Sequence, residues 1–249
     1  MSDKPLQDKV VLITGASRGL GRALALCCAE VGATLVAVAQ TVGALEELDD
    51  EARRLGAGGC TLVPQDLCEG DAIDRLGAAL YQRFGRLDGL AVAHGALGQL
   101  SPVGHIPPKI WEETLQLNAT VPYRLLRSLD PLLRQAEAPR ALFITDRAAG
   151  RDRAYWGAYN ASKRALEALI ASYAEETAKT RIRVNLAAPP PMATRLRAAA
   201  YPGEDAAKLA NPATVAPQLL PLLLPTESRH GLCVSIGHNS LSSCPQQIA

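Results

Sequence analysis

Residues 9–21, KVVLITGASRGLG, decide the fold. Val10, Val11, Leu12 and Ile13 form an unbroken apolar run, as expected of a strand covered on both faces. Gly15, Gly19 and Gly21 follow in the turn TGASRGLG, and then Leu20, Leu24, Cys27 and Val31 fall on one face of a helix. Glycines in such a turn let the backbone bend sharply and approach a pyrophosphate. The helix that follows offers unpaired N–H groups and the positive end of its dipole to an anion. A glycine-rich strand-to-helix turn with no ligand is the competing reading, weakened by the position between a buried strand and an amphipathic helix.

Outward from this turn, strand-like and helical patterns alternate. Strand candidates are 33–39, 60–64, 87–93, 140–145, 183–188 and 231–236, which with the first make seven. Helical patterns carry Leu45, Leu48 and Leu55, then Ile73, Leu76, Leu80 and Phe84, and two long ones lie near 108–135 and 155–180. This alternation predicts an α/β fold with a doubly wound, seven-stranded parallel sheet and helices on both faces, of Rossmann type. Neither a linker nor a repeat interrupts the chain, so a single domain over 1–249 is expected. Proline-rich stretches at 189–191 and 212–225 read as loop and short helix, and the polar tail, about 238–249, as poorly ordered.

Composition narrows the class of function. With 249 residues, 48% hydrophobic and a formal net charge of +1, the chain can bury a sizeable core and gives no reason to expect nucleic acid or an anionic membrane as partner. The start shows no secretory signal, and the apolar run 219–224 is too short to span a bilayer and contains Pro221. Six cysteines, at 27, 28, 60, 68, 233 and 244, lack metal-like spacing, which predicts free thiols, no bound metal and a cytoplasmic location.

Tyr159 and Lys163 form Y-x-x-x-K on the second long helix, a spacing that places both side chains on one face. A phenol titrates near ~10 in water, and a neighbouring ammonium draws that value down toward a useful acid/base range. Asn118 precedes Pro122 by four residues, so the carbonyl of residue 118 lacks its usual helical donor.

Taken together, TGASRGLG, Asn118 and Y-x-x-x-K resemble the short-chain dehydrogenase/reductase family over about residues 10–236. The segments WGAYNASK, RVN and TRLRA are similar to a bacterial subgroup of it, named for the oxidoreductase YciK. The resemblance implies an oxidoreductase that interconverts a carbonyl and an alcohol on a small-molecule substrate and assembles as a homotetramer or homodimer. Residues 121–133 suit that assembly or the core equally. The resemblance also implies a dinucleotide held by Gly15, Ser17, Arg18, Gly19, Leu20 and Gly21. Asp66 and Leu67 would lie at the adenine, and Gly95, Pro189 and Thr194 near the nicotinamide. Tyr159 would be the acid/base, Lys163 its tuner and ribose ligand, and Asn118 a main-chain water anchor. Gln40 stands where a carboxylate would read a free ribose 2′-hydroxyl, and with Arg18 in the turn this favours NADP(H) over NAD(H).

Three departures cluster near the chemistry. Asp146 occupies the family's catalytic serine position, thirteen residues before Tyr159. A carboxylate cannot donate a hydrogen bond to the substrate oxygen and repels negative charge developing there, whereas a protonated acid can donate. Arg147, Arg151 and Arg153 are possible neutralisers, and strand alternation points Thr145 and Arg147 away from the site. The family's NNAG reads Val92-Ala93-His94-Gly95, with His94 expected to be a loop histidine without a role rather than a substrate-site group. The glycine of PGxxxT is Pro190. These breaks keep a second reading open, a cofactor-binding sensor or scaffold with impaired catalysis.

Overall fold

The computed structural model describes residues 4–146, 153–237 and the backbone of 240–247. Strand β1 (Val10–Thr14) is buried along its whole length. Val11 and Ile13 face one apolar cluster and Val10 and Leu12 the other, the alternation that makes a central strand of an unbroken apolar run. Helix α1 (Gly19–Glu30) follows, then β2 (Thr34–Ala39), α2 (Val42–Leu55), β3 (Gly59–Pro64), α3 (Ala72–Phe84) and β4 (Gly89–Val92). The second half adds α4 (Pro108–Leu115), α5 (Val121–Gln135), β5 (Arg140–Ile144), α6 (Gly157–Thr177), β6 (Arg183–Ala188), α7 (Arg195–Ala200), α8 (Pro212–Leu219) and β7 (Leu232–Gly237).

Seven strands pair in parallel in the order β3-β2-β1-β4-β5-β6-β7, as the alternation predicted. Leu24, Leu45, Leu48 and Leu219 of α1, α2 and α8 cover one face of the sheet. On the opposite face lie Ile73, Leu76, Leu129, Leu166 and Ile170 of α3, α5 and α6. The leucines of 121–133 (Leu125, Leu126, Leu129, Leu132, Leu133) are buried in that second cluster and so serve the core of this chain. The order in which strands are laid down along the sheet reverses between β1 and β4. Their carboxyl ends open a crevice at this switch point, where open α/β sheets bind ligands.

Two expectations need correction. Part of the polar tail is ordered as a strand: β8 (Ser240–Gln247) runs antiparallel to β7, with Leu241 opposite Ile236 and Ser242 opposite Ser235. The unpaired backbone groups of the edge strand β7 supply the reason, since pairing satisfies them irrespective of side-chain polarity. Positions 238, 239, 248 and 249 lie outside the described residues. The helical pattern near 108–135 is likewise not one helix. A π-helical turn, Gln116–Thr120, separates α4 from α5, and Pro122 stands in the first turn of α5. No helix among the described residues is long and apolar enough to cross a membrane, and they contain no cluster of metal-ligating side chains.

Candidate active site

The β1–α1 turn closes on itself at van der Waals distance. A Cβ on Gly21 would meet the carbonyl oxygen of Gly15 at 2.3 Å. Gly15 itself has φ +69°, and a Cβ there would lie 2.9 Å from the backbone nitrogen of His94. Both positions therefore require glycine. The turn forms one end of a cleft of about 800 Å³ along the carboxyl edge of the sheet. This cleft gathers Gly15, Ser17, Arg18, Gly19, Leu20, Gly21, Gln40, Asp66, Leu67, Gly95, Asp146, Tyr159, Lys163, Pro189, Pro190 and Thr194. Every cofactor position expected from the sequence thus borders one volume.

At the turn end, Arg18 and Gln40 are exposed, and the first turn of α2 carries no acid. No described carboxylate is ion-paired with Arg18. Asp66 closes a local turn, its Oδ1 accepting from the Cys68 N–H at 2.8 Å. Thr194 caps α7, its Oγ1 accepting from the Arg197 N–H at 3.2 Å.

At the opposite end, α6 presents Tyr159 and Lys163 inward, 3% and 4% exposed. The Tyr159 hydroxyl donates to Asp146 Oδ2 at 3.1 Å, and Lys163 Nζ donates to the Ile144 carbonyl at 3.1 Å. Burial brings the Lys163 ammonium down to about 8, against the opposing pull of Asp146 and Glu167. The Tyr159 phenol is pushed above its ordinary range, first by burial and then by Asp146. The downward pull expected from Lys163 is thus outweighed in this structure. Thr145 turns to α6, donating to Glu167 Oε1 at 2.7 Å, while Arg147 and Arg151 lie outside the described residues. Arg153 donates to the Tyr201 hydroxyl.

Asn118 lies within the π-turn and does not border the cleft. Its side chain is consumed structurally: Nδ2 donates to the Ala96 carbonyl and Ser162 Oγ at 2.8 and 2.9 Å, and Oδ1 accepts from the Ala96 N–H at 2.8 Å. Only its main-chain carbonyl is left for a catalytic use, because Pro122 has no N–H to give it.

His94 is not the roleless loop histidine expected. The Leu117 carbonyl must accept, so Nε2 carries the proton and donates at 3.1 Å, while Nδ1 accepts from the Thr14 hydroxyl at 2.7 Å. Burial, and then the charge of Lys163, lower this imidazole to about 4, which keeps it neutral in that tautomer. It ties the end of β1 to the π-turn across the position where the family's asparagines are missing. No local signal marks that role, because Thr14 and Leu117 are 80 and 23 positions away.

A doubly wound sheet with a glycine cradle at its switch point and a buried Tyr–Lys pair facing it defines a dinucleotide-dependent oxidoreductase. Residues 9–205 match the family model described as short chain dehydrogenase, and the chain belongs to that family. Among curated relatives, it is 32% identical over 220 residues to the oxidoreductase YciK of Escherichia coli K12, covering 88% of this chain and 87% of that one. A rhamnolipids biosynthesis 3-oxoacyl-[acyl-carrier-protein] reductase of Pseudomonas aeruginosa is 34% identical over 192 residues, 74% of this chain and 73% of that one. Of solved structures, a short chain dehydrogenase from Escherichia coli CFT073 complexed with NADPH superposes with a TM-score of 0.87 at 30% identity, covering 94% of this chain and 99% of that one.

Proposed function

We propose that this oxidoreductase uses NADP(H) to interconvert a small-molecule carbonyl and alcohol, with Asp146 governing how readily Tyr159 gives up its proton. The observation that carries this reading is the Tyr159–Asp146 hydrogen bond beside buried Lys163. Dinucleotide use is supported by the cradle that a Cβ at Gly21 would fill. Phosphate selectivity is supported by exposed Arg18 and by Gln40 in place of a carboxylate, and a structural relative bound NADPH. The turn residues would hold the pyrophosphate, Asp66 and Leu67 the adenine end, and Lys163, Gly95, Pro189 and Thr194 the nicotinamide end. Bound there, the reduced dinucleotide supplies the hydride that goes to the carbonyl carbon.

Tyr159 gives its phenolic proton to the carbonyl oxygen as that oxygen becomes negative. Lys163, charged below about pH 8, stabilises the phenolate left behind, and the Asn118 carbonyl holds water that returns the proton. Asp146 competes with the substrate for the Tyr159 proton when ionised and donates to the substrate oxygen when protonated. That same hydrogen bond supports a second reading, a cofactor-binding sensor or scaffold in which Asp146 keeps Tyr159 from giving up its proton. The dimer or tetramer expected of the family draws support from exposed Tyr81, Trp111 and Tyr123 on α3, α4 and α5, and light scattering on the purified protein tests it.

Calorimetric titration with NADPH and NADH, followed by single-turnover reduction of a panel of aldehydes and ketones, separates the readings. Selective NADPH binding with hydride transfer supports the enzyme. Binding without transfer to any carbonyl supports the sensor, and binding of neither dinucleotide defeats both.

A further inference from the structure

Beyond Tyr159 the cleft is bordered by Arg153, Leu196 and Tyr201, which rest on a small apolar cluster. Trp156 meets Tyr159 edge-on with ring centroids 5.7 Å apart, and Tyr201 lies 5.7 Å from Trp156. Leu97, Leu100 and Leu196 pack against this group, of which Ala200 is a buried member. The Tyr201 ring is held in place from below: the Arg197 guanidinium stacks 3.7 Å from its centroid, and Glu204 grips Arg197 with both carboxylate oxygens, at 2.5 and 2.7 Å. Arg197 is therefore neutralised and structural.

Arg153 is in a different state. It borders the same cleft, donates to the Tyr201 hydroxyl and lies over the Trp156 ring at 5.9 Å. These two contacts aim the guanidinium, and no described carboxylate lies within ion-pairing distance of it. Arg195, a further cation of the cleft, follows Thr194, whose methyl group sits against Gly19 at the phosphate turn. Among the described residues, Arg153 is thus an oriented cation at the catalytic end, and the Trp156 ring contacts both its guanidinium and Tyr159.

We infer that the substrate is an apolar, ring-sized carbonyl compound bearing one carboxylate, and that Arg153 binds that carboxylate while Tyr159 faces the carbonyl. The inference rests on the carbonyl-reducing reading of the site. The planar fork of an arginine matches a carboxylate in two parallel hydrogen bonds. A neutral substrate covering Arg153 would strip water from a charge and return nothing for it. Tyr159, Leu196 and Tyr201, which border the cleft, account for the apolar body between the two polar ends.

The test compares 4-carboxybenzaldehyde with benzaldehyde as substrates in the presence of NADPH. The expected result is a kcat/KM at least ~10-fold higher for the carboxylated aldehyde, in line with one charge-assisted contact. In Arg153→Gln the ratio of the two values falls toward one, and Arg153→Lys restores part of it. Equal kcat/KM values in the wild type, or an unchanged ratio in Arg153→Gln, overturn the inference. If neither aldehyde is reduced, the hydride-transfer reading fails for these substrates, and the anion site is then decided by calorimetry on the NADPH complex. Tighter binding of 4-carboxybenzaldehyde that is lost in Arg153→Gln supports it, and equal or absent binding of the two aldehydes overturns it.

Discussion

At Tyr159 burial, and then Asp146, hold the phenol in its protonated form. The neighbouring Lys163 ammonium favours the phenolate but does not overcome them. Replacing Asp146 by serine exchanges an acceptor for a hydroxyl that both accepts from Tyr159 and donates to a substrate oxygen. Steady-state reduction of any accepted carbonyl by Asp146→Ser is expected to be faster by roughly 100- to 1,000-fold, the scale of one oxyanion donor. A rate that stays level or drops would show that aspartate is the better partner here. His94 makes a separate prediction about acid. Its imidazole is held at about 4, below the ordinary ~6.5, so between those values the unfolded chain takes up a proton that the folded one refuses. Stability contributed by the neutral tether is therefore present above about pH 6.5 and is lost as pH falls toward 4. Urea unfolding from pH 7 to 4 should show this slope in the wild type and a shallower one in His94→Gln. Parallel slopes would contradict the tether.

The element that carries Asn118 is a π-turn braced from three directions. Its own backbone spans five residues, the Val121 N–H reaching the Gln116 carbonyl. His94 holds the Leu117 carbonyl, and the Asn118 side chain latches the turn to the loop after β4 and to Ser162 of α6. Pro122 completes the arrangement by withholding a donor. In Pro122→Ala the new N–H can claim the Asn118 carbonyl, which would draw the turn toward regular α-helix. We expect kcat to fall by ~10- to 100-fold, the cost of a misplaced catalytic group, with NADPH affinity retained because the phosphate turn is untouched. An unchanged kcat would mean that the carbonyl has no part in proton return.

At the scale of the whole molecule, the cleft sits where the two halves of the sheet diverge and is lined from β2 on one side to the ends of β5 and β6 on the other, the span a dinucleotide would cover in the proposed function. Binding to the folded state alone stabilises it by about 2.7 kcal/mol at ~100 times Kd. For a chain of this size that corresponds to roughly 5–10 °C in melting temperature. NADPH should produce such a shift and NADH a smaller one at equal concentration. Identical shifts would remove the basis for phosphate selectivity at Arg18 and Gln40.

Sequence by itself determined the parallel sheet, the glycine cradle and the pairing of Tyr159 with Lys163. Each of these is written in neighbours: a both-faces apolar run, a turn that excludes Cβ atoms, and a spacing of four on one helix. It also located Asp146 and the missing donor at Pro122. What tertiary structure alone decided are contacts between positions far apart in the chain. The Tyr159 hydroxyl meets Asp146 because β5 ends against α6. His94 joins Thr14 to Leu117 because β1 and β4 are adjacent in the sheet. Arg153, Trp156 and Tyr201 converge only when α7 folds back over the start of α6. Pairing of the tail with β7 has the same origin, since an edge strand's open hydrogen bonds are a property of the assembled sheet and leave no mark on the residues that will satisfy them.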